Sequence, residues 1–485
     1  MATKKDLVEA YSFSRRRLVT AFVSGAPGGR EVEPARPGRT IVGGLALAVL
    51  LVAGAAIAGI FSPSVPEDWA DSPGLIVSRE TGAAYVITED AVEEAELTAG
   101  TTEADTGPVL RPVINITSAM LILGSDVTPE IVPQSAIDAE TIGDDIGILN
   151  APASVPTDDL LIESGWTACT DERQGIRLAV AESPGVVDAP GSAFVVESDG
   201  SFYVVALARP EGGAEPRAYR YRLPGDRGVR DDILGDLGLE FSASARSVSQ
   251  DWLALFPAGG ALAAESFELG GVGDPVDYAG DGTGVPADAE VGDYLDGDDG
   301  TFVLTEEGPA PLDPFALAVY ANLPEPDRPR LLESDDLQVG RALEPYLAAH
   351  WPDTLLEPVF GEHCARLEPR PGQPPVVLLG TDPTEEASSA SVDPDETSVR
   401  VDPGRGAYVL SGDWDDTTDG SPYLIDAKGN ANALVGLGAA DLLGYAGYDA
   451  PVVPDAWVEL FGEGVPLSQD AALCPPDPVV GRTCD

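Results

Sequence analysis

The chain has 485 residues, 44% of them hydrophobic, which is enough for a packed core and excludes disorder along its whole length. Its 82 acidic side chains outnumber 28 basic ones, giving a net charge of −54, and a surface of that sign repels phosphate backbones. Nucleic acid is therefore excluded as a partner outside a short basic N-terminal stretch. With only Lys4, Lys5 and Lys428 as lysines, positive charge falls mostly to arginine.

Residues 1–39 form that basic stretch. Lys4, Lys5, Arg15, Arg16, Arg17, Arg30, Arg36 and Arg39 face Asp6, Glu9, Glu31 and Glu33, a net +4 that leaves −58 on residues 62–485. Leu7, Tyr11, Leu18 and Phe22 recur at helical spacing, with Arg15, Arg16 and Arg17 interrupting the stripe. The pattern fits an amphipathic helix on anionic lipid, a docking helix for a cytoplasmic partner, or a plain topological anchor. Residues 25–39, rich in Gly, Pro and charge, read as a linker.

From Thr40 to Phe61 there are 22 residues without a charge. A helix crossing a bilayer core needs about 20. A signal-peptide core is shorter and starts nearer the N-terminus, and a buried globular helix of this length and apolarity would be unusual. The run therefore predicts one transmembrane helix over 40–61. Arg30, Arg36 and Arg39 precede it closely and the next basic residue is Arg79, so the positive-inside rule places the N-terminus in the cytoplasm and residues 62–485 outside.

Beyond a Pro/Ser/Asp spacer at 62–73, short alternating strands broken by Gly, Asp or Pro appear near 75–87, 193–206, 301–312 and 407–426. Helical patterns lie between them. The mix predicts an α+β fold, an elongated outer domain over 74–485 built of small antiparallel-sheet repeats around a central part. Repeat-like units are expected near 74–152, 191–262 and 401–467, with the central part near 263–330. The last two of these units share a W-x-x-L-F signature: Trp252 matches Trp457, Leu255 matches Leu460 and Phe256 matches Phe461. These six read as core packing of stacked repeats. Residues 381–400 read as a solvated acidic loop.

Four cysteines, Cys169, Cys364, Cys474 and Cys484, all fall on the outer side, where disulfides persist. Three pairings are open. Cys474 and Cys484 are near neighbours at the C-terminus and natural partners, which leaves Cys169 with Cys364. A zinc site using His363 beside Cys364 is the rival, and no C-x-x-C spacing supports it.

No catalytic motif emerges. The chain lacks G-x-x-x-x-G-K-[ST], G-x-S-x-G and H-E-x-x-H, and Lys428 sits in a turn-like DAKGN. With His350 and His363 the only histidines, a Ser-His-Asp triad has no local support. Residues 277–284 and 293–300 resemble calcium loops in composition but lack the bidentate Glu, and read as acidic surface turns. No cofactor is expected.

In order along the chain, YSFSRRRLVTAF, the single apolar run, GLIVSRETGAAYVI, RPVINITSAMLILG, GILNAPASVP, GWTACT with Cys169, then Cys364, the W-x-x-L-F units and a Pro-rich end resemble EccB, a membrane core component of the type VII (ESX) secretion systems of actinobacteria. The resemblance implies a structural subunit that sits with EccC, EccD and EccE in an inner-membrane complex. It implies self-association through the periplasmic domain and contact with the mycosin protease. Members are sometimes labelled ATPases, a label the motifs here do not support. The alternative is a membrane-tethered extracytoplasmic enzyme, nucleotide-hydrolysing or otherwise hydrolytic. The chain departs from familiar members in its acidity, its few lysines, the acidic insert near 89–107 and the added Cys474 and Cys484.

Overall fold

The computed structural model describes residues 4, 5, 8, 10–12, 14, 15, 69–88, 108–170, 174–209, 215–280, 282–297, 300–324, 329–333, 351–359, 361–382 and 392–477. The apolar run 40–61, Arg16, Arg17, the insert near 89–107, His350 and Cys484 lie outside them. Among the described residues no helix is long and apolar enough to cross a membrane. The chain divides into Met1–Val65 and Pro66–Asp485. In the first part, Lys4, Lys5, Val8, Ala10, Tyr11, Ser12, Ser14 and Arg15 are helical and exposed.

The second part is α+β and dominated by sheets. One topology recurs in it. In the first unit, Gly74–Ser78 pairs antiparallel with Ala84–Ile87, which pairs antiparallel with Arg111–Pro112. The helix Ile116–Leu123 follows, begun by the Asn115 side chain, which accepts from the Ser118 N–H. Glu130–Val132 then returns parallel to the first strand, giving the order third, second, first, fourth. A parallel return needs a crossover, and the helix supplies it.

The second unit repeats this with Ser192–Ser198, Ser201–Ala208 and Arg217–Arg222, the helix Arg227–Asp236, and Arg246–Ser247 returning parallel to the first strand. Asp199 and Gly200, both at positive φ, make the two-residue turn between its long strands. A short helix, Gln250–Ala254, then leads to Ala258–Ala261, parallel to Arg217–Arg222. The last unit has the same extended form: Ala407–Gly412, Ser421–Ile425, Asn430–Ala433, Val452–Pro454 and Gly462–Glu463, in sheet order fourth, first, second, third, fifth.

Two expectations change. The unit sheets are mixed, not antiparallel, because each carries a helix-borne parallel return. The stretch near 263–330 is not the central part. Tyr294–Gly297, Gly300–Leu304, Pro309–Pro311, the helix Pro314–Tyr320 and Leu331–Glu333 form another unit of the same topology, its helix started by Asp313 with Pro314 in the first turn.

What lies between the units is a six-stranded bridging sheet made from two distant segments. Its order is Thr397–Val401, Ile176–Val180, Trp166–Thr170, Glu362–Glu368, Val376–Asp382, Val187–Asp188. Every residue of Trp166–Thr170 is buried, as a strand covered on both faces should be. Three cores link the parts in series. Helix and loop residues of the first unit meet the last unit around Leu121, Leu424 and Leu467. The last and second units meet the bridging sheet around Trp166, Trp252 and Trp457. The second and third units meet around Tyr221, Phe267 and Phe315.

Candidate functional site

The two W-x-x-L-F signatures meet. Trp252 starts from the helix Gln250–Ala254, whose first turn is capped by the Ser249 hydroxyl. Its ring is fully buried, and its Nε1 donates to the Ala168 carbonyl of the bridging sheet at 3.0 Å. Trp457 donates from Nε1 to the carbonyl of Leu255 at 3.3 Å, so one signature bonds the other. Phe256 stands edge-on to Trp252 at 5.1 Å, and Phe461 edge-on to Trp166 at 5.3 Å. Leu255 and Leu460 complete the same cluster. Sequence reasoning gave each trio its own repeat; the structure places both in one core shared with the bridging sheet.

Cys169 and Cys364 are directly opposite each other on neighbouring bridging strands and form a disulfide, with Cα atoms 4.0 Å apart. The bond closes a loop over 195 residues that contains the second and third units. Cys474 is also disulfide-bonded, and its carbonyl accepts from the Gly147 N–H, which ties the C-terminal segment to the first unit. Cys484 lies outside the described residues. With Cys364 oxidised, His363 has no neighbouring thiolate with which to hold zinc. Among the described residues no group of three or more His, Cys, Asp or Glu side chains is placed around a common point.

His363 does something else. Its ring lies flat on Phe194 at 4.1 Å, and its Nδ1 has no partner. Burial, reinforced by the nearby Arg246 charge, pushes its pKa from 6.5 to about 3, so it is neutral at ordinary pH. It lines a cleft of about 320 Å3 with Arg246, Ser244, Val195 and Pro358. Nothing in the sequence beyond its place next to Cys364 singled it out. A second, wider cleft lies beside Arg220 and Arg222 of the second unit. Arg220 donates to the Leu253 carbonyl, and burial pulls its pKa down.

Two further sequence candidates sit in structural contacts. In the turn containing Lys428, Asp426 Oδ1 accepts from the backbone N–H groups of Lys428 and Asn430. The buried Asp293 in the second calcium-like stretch is held by Arg330 Nε and Nη2 at 2.9 and 2.5 Å. Arg15 is exposed.

Residues 1–480 match the family model described as type VII secretion system ESX-1, transport TM domain B, EccB. A protein of Mycolicibacterium smegmatis (strain MKD8) named ESX-1 secretion system ATPase EccB1 is 31% identical over 131 residues, 27% of this chain and 23% of that protein. The ESX-3 secretion system ATPase EccB3 of Mycolicibacterium smegmatis (strain ATCC 700084 / mc(2)155) is 28% identical over 281 residues, 57% of this chain and 49% of that one. The matched stretches thus span 23% and 49% of these relatives' length. Among solved structures, a chain of an intact ESX-5 inner membrane complex aligns with 100% of this chain and 98% of its own length, at a TM-score of 0.59 and 21% identity. A chain of an EccB3 dimer from the ESX-3 core complex aligns with 83% of this chain and 100% of its own, at 0.56 and 20%. These two share the fold. With a family match running from residue 1 to residue 480, the chain belongs to the EccB family of type VII secretion proteins.

Proposed function

We propose that this chain is a structural subunit of a type VII secretion membrane complex and scaffolds protein export across the inner membrane. The observation that carries the reading is the body of four like units joined by one disulfide-bonded bridging sheet, a fold alignable end to end with a chain of the ESX-5 inner membrane complex. In this reading residues 1–39 lie in the cytoplasm, the run 40–61 spans the membrane once, and residues 62–485 stand on the outer side. EccC-, EccD- and EccE-like subunits, the mycosin protease and a second copy of the chain are its partners. The curated relatives carry the word ATPase in their names. Against turnover by this chain stand its net charge of −54, its want of a phosphate-binding loop and the turn geometry around Lys428.

The test is purification of the tagged full-length chain from membranes of its own cells, with its mass read on a native gel. The scaffold reading expects a large assembly containing an FtsK-like ATPase subunit. A chain recovered alone, with magnesium-dependent ATP turnover lost on Lys428→Ala, would replace it with the enzyme.

A further inference from the structure

Strand Ser192–Ser198 has a discontinuous outer edge. Glu357–Pro358 pairs parallel with Ser192 and Ala193, and Arg246–Ser247 pairs parallel with Val196 and Glu197. Phe194 and Val195 are skipped by both. The 320 Å3 cleft opens at this gap, with His363 of the bridging sheet stacked on Phe194 beneath it.

Arg246 keeps N–H groups to spare in this cleft, and the buried His363 beside it has no partner on Nδ1. Arg246 donates from Nη2 to the Gly361 carbonyl at 2.9 Å and reaches no carboxylate among the described residues. Arg177, Arg217, Arg330, Arg366, Arg370 and Arg405 each hold one, whereas Arg220 and Arg230, like Arg246, are held by backbone carbonyls. His363 is 6% exposed, and its Nδ1 is unbonded, a state that costs free energy in a folded interior. A guanidinium with spare N–H groups beside a buried imidazole is suited to a planar anion with two acceptor oxygens. The overall negative charge does not forbid this, since the screening length at physiological salt is about 8 Å; of the two charged residues lining the cleft, Arg246 and Glu240, which form no ion pair with each other, Arg246 offers the free donors.

We propose that this cleft binds a carboxylate, anchored by Arg246 and walled by His363. Its size admits a small carboxylic acid or the C-terminal residue of an extended peptide lying along the interrupted strand edge. The site is independent of the export role proposed above.

The chain has only two histidines, so selective labelling gives a direct readout. The purified full-length protein carrying 15N-histidine is titrated with acetate, with succinate, and with acetyl-Ala-Ala bearing a free or an amidated C-terminus. His350→Asn assigns the signals. The expected result is a saturable shift of the His363 signal with a free acid, and affinity lower by about tenfold in Arg246→Gln, the loss of one charge-assisted hydrogen-bond pair. Arg246→Lys, which keeps the charge, should retain part of the affinity and guards against a folding artefact. Saturation by acetate or succinate alone identifies a small acid; saturation by the free-acid peptide alone identifies a chain terminus. No saturable shift with any acid, equal affinity in Arg246→Gln, or equal binding of the amidated peptide would overturn the site.

Discussion

Trp166 and Trp252 are both fully buried in one cluster but differ in one hydrogen bond. Trp252 satisfies the Ala168 carbonyl, whereas the Trp166 Nε1 has no partner. Changing either to Phe removes similar volume. Only Trp252→Phe also removes a buried hydrogen bond, while Trp166→Phe removes an unsatisfied donor. We expect Trp252→Phe to be the more destabilising by about 1–3 kcal/mol in urea unfolding of residues 69–485; equal costs would mean that the bond is energetically idle. His363 gives a second prediction. Its folded pKa, about 3, lies below the 6.5 of the free side chain, so between those values the unfolded chain binds the extra proton. Its contribution is therefore fully present above about pH 6.5 and is lost as pH falls towards 3. His363→Phe keeps a ring against Phe194 and abolishes the titration. The stability difference between wild type and this variant should shift in favour of wild type on going from pH 4 to pH 7 and stay level above pH 7. A difference independent of pH would refute the neutral buried imidazole.

At the level of elements, the bridging sheet joins segments far apart in the chain, and the Cys169–Cys364 bond fixes its two inner strands. Closing so long a loop removes unfolded-state entropy worth up to about 5 kcal/mol. Cys169→Ser should therefore lower the melting temperature of residues 69–485 much more than Cys484→Ser, whose proposed loop to Cys474 is short. Comparable losses would show that strain or denatured-state structure cancels the advantage. The elements differ in how legible they were. The W-x-x-L-F units stood out because Trp is rare and its spacing repeats. The unit at 294–333 lacks that signature, so its strands were seen near 301–312 but not their likeness to the other units. The bridging sheet could not be read from periodicity at all, since Trp166–Thr170 is a short isolated run and Glu362–Glu368 carries Glu362, His363, Arg366 and Glu368 among its apolar residues, so neither marks a central strand until their pairing is known. The cysteines were the one long-range signal, through elimination among pairings. His363 was legible only as a zinc or triad candidate; its stacking on Phe194 carries no sequence pattern.

For the molecule as a whole, the charge split between tail and body gives the last prediction. Replacing Arg15, Arg16 and Arg17 by Ala should reduce co-purification with EccC-, EccD- or EccE-like subunits and leave the body folded. Lys4, Lys5, Arg30, Arg36 and Arg39 still supply the topological signal in that variant. Normal assembly and secretion by the triple variant would reduce the tail to an anchor. The bridging sheet also sets a timetable for the newborn chain. Strands 166–180 leave the ribosome well before their partners at 362–382, and at about 5–20 residues per second that interval is on the order of ten to forty seconds. The second and third units, whose pairings are local, can fold within it. Trp166–Thr170 can pair at once with Ile176–Val180 but must meanwhile wait with its other edge bare and its faces uncovered, so the stretch most dependent on a holding chaperone is the one that ends up at the centre of the bridging sheet.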